Sequence, residues 1–213
     1  NATDLIFYTG HSEANTEKFR FTSQGELGVG GANYGTDGQV LTSTGAGTAP
    51  AWEDAGSGGK TLQSVSTETG ALSTHSSNSF PEDDTIPQID EGDEVMTLAI
   101  TPESATSELH IFVNAFGAHA GSTRNGIALF VDSDAGALAF NDSANAGATT
   151  MMGTSLQHVV VSASTDARTY RVRMGGMATG NSNTLSFNGQ AGARKFGGVP
   201  LSSIIITEIE VLS

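Results

Sequence analysis

Val95-Met-Thr-Leu-Ala-Ile100 and Thr169-Tyr-Arg-Val-Arg-Met174 decide the fold class. In the first stretch Met96, Leu98 and Ile100 share one side; in the second Tyr170, Val172 and Met174 do. A period of two marks a strand with one face buried, because successive side chains on a pleated strand point to opposite faces. Outward from these two, strand-like runs recur between turn signals at Thr61–Ser66, Glu108–Phe116, Gly126–Val131, Leu156–Ala163, Thr184–Asn188 and Ser202–Leu212. Val159-Val-Val161 and Ile204-Ile-Ile206 are apolar on both faces, which suits strands covered on both sides. No window carries apolar residues at helical spacing for three turns. About eight strands in roughly 150 residues is the size of a jelly-roll β-sandwich, so the chain reads as all-β.

Composition agrees with that reading. Of 213 residues, 37% are apolar and only 15% charged, below the roughly 25% charged of an average soluble domain. Gly, Ser, Thr, Asn and Ala fill the difference, and the 27 Gly favour turns over long helices. The net charge of −14 repels polyanions, and the basic residues Arg168, Arg171, Arg173, Arg194 and Lys195 are too few for a nucleic-acid footprint. With no Cys, disulfides, thiolate metal sites and thiol nucleophiles are excluded. No apolar run reaches the roughly 18 residues of a membrane-spanning helix, and no basic-then-apolar signal segment is present. Membrane insertion is therefore not expected. The chain begins at Asn1 without Met, so a fragment or processed product is expected.

The front end has a different texture. Asp4–Tyr8 and Lys18–Thr22 are short strand-like pieces, the second with Phe19 and Phe21 on one side, and Gly25–Gly31 is too Gly-rich for a helix. Such brief strands carry too little apolar area to offset their ordering entropy, so this segment needs identical neighbours around a shared axis. The linker Gly45–Pro50, then Trp52 and Gly56-Ser-Gly-Gly59, sets a boundary between residues 1–59, a stalk and linker, and 60–213, a β-sandwich head.

Two motifs in the stalk carry a family resemblance. Gly35-Thr-Asp-Gly-Gln-Val-Leu-Thr-Ser-Thr-Gly-Ala-Gly-Thr-Ala-Pro-Ala-Trp-Glu53 resembles a segment common in bacteriophage tail fibres, where it forms a knot of strands between fibre modules. Phe19-Arg-Phe-Thr-Ser-Gln-Gly-Glu-Leu-Gly-Val-Gly30 is similar to a repeat of the same fibres. Asp84–Gln88, Glu91–Leu98, Arg194–Gly198 and Ser202–Ile209 are similar to stretches of terminal fibre domains, which resemble the trimeric jelly rolls of the tumour necrosis factor and complement globular-head type. The resemblance implies a short intertwined β-rich fibre stalk followed by a jelly-roll-like head, homotrimeric. It further implies an extracellular location in a virion tail fibre, attachment to a host cell-surface receptor (glycan or protein), and other virion tail proteins as partners. The alternatives are a trimerisation or capping module without receptor binding, and a glycan-degrading tailspike.

Receptor contacts are expected on polar and aromatic loop positions, where specificity usually resides. The candidates are Phe116, His119, Ser122, Arg124 and Asn125 in one stretch and Phe140, Asn141 and Asn145 in the next, with Asn181 and Asn183 near the end. Catalysis has little support. Asp132 and Asp134 form an isolated D-x-D without the further oxygen ligands a Ca²⁺ site requires, and Asp132, Asp134 or Glu108 would have to serve a hydrolase. The acidic run Glu82, Asp83, Asp84, Asp90, Glu91, Asp93 and Glu94 reads as a solvated loop, or as a cation trap if three copies meet at an axis. His11, His75, His110, His119 and His158 lack metal-ligand spacing; His119 is the best placed to form a ring of three. No G-x-S-x-G elbow or phosphate loop occurs, so no enzyme activity, metal or cofactor is expected. Trp52 reads as a plug at the stalk-head junction.

Overall fold

The computed structural model describes residues 3–10, 14–55, 59–76, 78–122, 124–144, 150–177 and 184–211. The chain divides into two units, Asn1–Gly58 and Gly59–Ser213. Described helix is confined to one 3-10 turn, Phe196–Gly198.

In the first unit, β1 (Leu5–Thr9), β2 (Thr16–Phe21) and β3 (Leu27–Val29) form an antiparallel three-stranded sheet, and β4 (Gln39–Thr42) pairs with β5 (Ala51–Asp54). The β2–β3 turn is closed by Thr22, whose hydroxyl accepts the Gln24 and Glu26 backbone N–H groups, with Gly25 at φ +88°. A positive φ of that kind is open to Gly at no steric cost. Trp52 lies in β5, its indole N–H donating to the Asn33 carbonyl at 3.2 Å and its ring against Gly35. Among the described hydrophobic residues of this unit Val29 alone is buried, while Leu5, Phe7, Tyr8, Phe21, Val40 and Leu41 are all exposed.

The second unit is a sandwich. Its strands are β6 (Thr61–Thr69), β7 (Ser73–Ser76), β8 (Asp93–Ile100), β9 (Glu108–His119), β10 (Arg124–Val131), β11 (Ala139–Ala144), β12 (Met152–Val161), β13 (Arg168–Gly176), β14 (Thr184–Phe187), the short pair β15 (Gly189–Gln190) and β16 (Ala193–Arg194), and β17 (Ser202–Ile209). One sheet runs β6-β17-β9-β12, with β14 and then β7 added along the last residues of β9. The facing sheet runs β11-β10-β13-β8. All these pairings are antiparallel, and neighbours in space are mostly distant in sequence, the connectivity of a jelly roll.

The alternation in the sequence places the core. Met96 and Ile100 from β8 and Tyr170, Val172 and Met174 from β13 are buried against Leu109, Ile111 and Val113 of β9 and Ile204 and Ile206 of β17. Each such side chain contributes about 1.5–3 kcal/mol on burial. All eight head strands expected from the sequence are present; β7 and β11, both polar and short, and the two-residue β15 and β16 are additional. The doubly apolar runs differ from expectation. Val159, Val161 and Ile205 point away from the core and stay open in one chain, at 50%, 53% and 37% exposure. The strap described next crosses the other sheet, packing on Ala128 and Phe130.

That strap is the β7–β8 connection. Phe80 donates its N–H to the Gly176 carbonyl and packs with Ala128 and Phe130, covering the outer face of β10. Further along, Ile89 N–H bonds the Ala135 carbonyl and Ala137 N–H bonds the Pro87 carbonyl. β10 is therefore buried on both faces from Gly126 to Val131.

Candidate functional site

Register defines two ends of the sandwich. Thr61, Ile100, Glu108, Val161, Arg168 and Ile209 lie at one, where the chain enters β6; Thr69, Asp93, His119, Arg124, Met152, Gly176 and Ser202 lie at the other. The stretch of expected contacts from Phe116 to Asn125 falls at this second end, far apart in sequence from Met177 but adjacent to it in space. Asn145, Asn181 and Asn183 lie outside the described residues.

The expected loop exposure does not hold for three candidates. His119 ends β9 with 0% exposure, its ring against Gly176. Burial pushes its pKa down, opposed by the Asp93 charge. Asn125 is equally buried in β10 and donates to the Gly117 carbonyl at 3.2 Å. Ser122 does sit in the β9–β10 connection, yet its hydroxyl is turned inward, donating to the Arg124 carbonyl and accepting the N–H groups of Arg124 and Met177. The Asn125 and Ser122 side chains bond backbone groups where the strands end, which is why these positions are polar. Phe116 is half-buried in β9 over Gly153, and Asn141 in β11 donates to the Ser155 carbonyl at 2.6 Å.

Arg124 and Phe140 do come together. They line a groove of about 300 Å³ between the strap and the β10–β11 edge, with Phe80, Pro81, Glu82, Asp83, Thr85, Pro87, Asp142 and Met177. Gly126 makes room for the floor, since a Cβ there would meet the Phe140 ring at 2.6 Å and Met177 sulfur at 3.0 Å. Phe80 fixes the ring from the side, edge-on at 5.2 Å and 74°. Above this floor Arg124 donates Nε–H to Asp142 Oδ2 at 2.6 Å and an Nη1–H to Glu82 Oε1. Hydrogen bonding and charge from Asp142, then Glu82, hold the guanidinium still more firmly protonated than usual. Hydrogen bonds from Thr85 keep the Asp83 carboxyl below its ordinary range. A second hollow of about 400 Å³ opens beside Phe140 and Asn141, bounded by Ser155, Leu156 and Gln157.

No family model matches the chain, and no curated protein matches it. Among solved structures it is similar to the EclA C-terminal domain, a sugar-binding protein, at 10% identity and a TM-score of 0.30, over 55% of this chain and 73% of that one. It is also similar to the infectious bursal disease virus Gt strain structure, at 12% identity and a TM-score of 0.32, over 100% of this chain and 48% of that one. The VP2 subviral particle of the same virus gives 9% identity and a TM-score of 0.30, over 98% and 58%. The chain thus spans about half the length of these viral proteins. Likeness this weak carries no argument about the site.

The strap was the part of the groove that sequence reasoning missed. Its acidic residues Glu82, Asp83, Asp84 and Asp90 are exposed to solvent, as expected, but Glu82 is also paired with Arg124; beside the strap, Glu94 of β8 pairs with Arg171, and Arg173 donates to the Glu91 and Gly92 carbonyls. The available signal was Phe80-Pro81, an aromatic anchor in a loop dense in acidic residues, with Ile89 packing on it. Asp132 is likewise engaged, by Arg168 at 2.6 Å and the Thr169 N–H at 2.8 Å. The Thr169 bond outweighs burial and, with Arg168, keeps its carboxyl low, the opposite of what a general acid needs. Glu108 pairs with His110 on the surface. Among the described residues no three His, Asp or Glu side chains gather as a metal site.

Proposed function

We propose that this chain is the far end of a bacteriophage tail fibre, a homotrimer whose jelly-roll head attaches the virion to a host cell surface and which performs no catalysis. The observation that carries the reading is the amount of ordered apolar surface that one chain leaves open. In the first unit Leu5, Phe7, Tyr8, Phe21, Val40 and Leu41 face outward. In the second, Phe112, Val159, Val161 and Ile205 share the outer face of one sheet, beside His110, Gln157 and Thr207. Contiguous apolar surface of this kind marks an interface, and copies of the same chain are the partners that stalk repeats imply. The fibre-like strings Phe19–Gly30 and Gly35–Glu53 support the virion assignment. Weak contacts repeated three times per fibre gain avidity from effective concentration.

Light scattering on the purified protein tests assembly, with a mass of three chains expected. Added as a soluble competitor, the trimer blocks adsorption of the virus to its host. A trimer that does not block is a capping module, and a monomer ends the proposal.

A further inference from the structure

The groove between the strap and β11 has the chemistry to recognise one class of ligand. Its floor is apolar, from Phe140, Met177, Pro81 and Pro87. Its rim offers acceptors and a donor at fixed positions. Arg124 engages Glu82 through Oε1 and Asp142 through Oδ2, so that, among the described residues, Glu82 Oε2 and Asp142 Oδ1 keep their hydrogen-bonding capacity. The guanidinium has five N–H donors, and these two bonds use two of them.

Charge and hydrogen bonding then select among ligands. Three carboxylates stand against one guanidinium, so an acidic ligand is repelled. An ammonium group only donates, so it can meet the carboxylate oxygens but leaves the remaining guanidinium N–H groups unanswered and sets a second positive charge beside Arg124. A hydroxyl both donates and accepts, and so uses the free carboxylate oxygens and the remaining guanidinium N–H groups without disturbing the ion pairs. A pyranose adds a C–H face that packs on a phenyl ring. The pieces are held ready: Phe140 is fixed between Gly126 and Phe80, and Arg124 between two carboxylates. Preorganisation of this kind lowers the ordering cost of binding, and the volume is at the lower end of ligand pockets.

We propose that this groove is a subsite for an uncharged hexose residue of a surface glycan. The assignment rests on the attachment reading for its biological meaning and stands on the groove for its chemistry.

The test is saturation-transfer NMR and titration calorimetry on the full chain. The probes are methyl glycosides of glucose, galactose and mannose, with N-acetylneuraminic acid and glucosamine as charged arms. Neutral glycosides bind with dissociation constants on the order of 1 mM, while the acidic sugar does not bind. Phe140→Ala and, as a surface change that spares the packing, Asp142→Asn each weaken binding about tenfold or more with the circular dichroism melt retained in the second. Preference for either charged probe, absence of neutral binding, or full affinity in a folded Asp142→Asn protein overturns the assignment. Adsorption blocking separates the two proposals. If wild type and Asp142→Asn block equally, the groove assignment falls and attachment stands; if wild type binds neutral glycosides yet fails to block, the reverse holds.

Discussion

Ser107 donates its hydroxyl to Glu208 Oε1 at 2.5 Å across 101 residues of sequence, tying the β8–β9 connection to β17. Glu208 has 0% exposure and also accepts the Glu103 and Ser104 N–H groups at 2.9 and 3.0 Å and the Gln63 amide at 2.7 Å. A buried carboxylate is tolerated only with this degree of satisfaction. Glu208→Gln loses acceptor capacity and faces the Gln63 amide with a donor. We expect a loss of about 2–3 kcal/mol, measured by urea denaturation at neutral pH, with unchanged stability counting against the clamp.

The same residue sets an acid limit. Burial raises the Glu208 pKa, but the bonds from Ser107, Glu103, Gln63 and Ser104 together outweigh it and leave the folded value below the ordinary 4.5. A depressed folded pKa contributes stability that is complete above the unfolded value and is lost as pH falls through the folded one. The difference in melting temperature between wild type and Glu208→Gln is therefore expected to shrink as pH falls below the ordinary 4.5. A gap that is constant through this fall would place the stabilisation elsewhere.

Gly176 lies against the buried His119 ring, where a Cβ would meet Cγ and Nδ1 at 2.7 Å. These atoms belong to a ring with 0% exposure, so it cannot swing out to solvent without displacing its neighbours. Gly176→Ala is expected to destabilise by about 1–3 kcal/mol, and His119→Ala in the same background to recover part of that loss. Additive losses in this double-mutant cycle would show that the two positions do not press on one another.

The open sheet face predicts assembly-defective variants. Val159→Lys combined with Ile205→Lys adds charge where the apolar side chains are exposed, leaving the core residues Ile204 and Ile206 untouched. For the head unit, Gly59–Ser213, light scattering is expected to give a single-chain mass while its β-type circular dichroism spectrum persists. A trimer that survives both lysines would move the interface to another surface.

Residues 1–58 expressed alone as a single copy are expected to give an unfolded spectrum, since Val29 is the sole buried hydrophobic residue among those described in this unit. Fused to a trimerisation module, the same segment is expected to gain strand signal. A cooperative melt of the isolated monomeric segment would contradict the need for neighbours.

Alternation by itself determined much of this protein. The period of two in Met96–Ile100 and Tyr170–Met174 named the inward faces correctly, because a half-covered strand sorts its side chains by water exposure alone. The polar strands β7 and β11 carried no such signal, since their places come from pairing with β14 and β10 rather than from burial. Only the tertiary structure decided the site. His119, Asn125 and Ser122 looked like loop contacts, yet chain reversal at the strand ends put them inside, where Asn125 and Ser122 answer backbone groups and the His119 ring packs on Gly176. Arg124 and Glu82 are 42 residues apart, and nothing local in either segment encodes their pairing; the strap's path over β10, anchored by Phe80, brings them together. Secondary structure follows from near neighbours in the chain, whereas a groove is assembled from segments that meet only after the sheets have stacked.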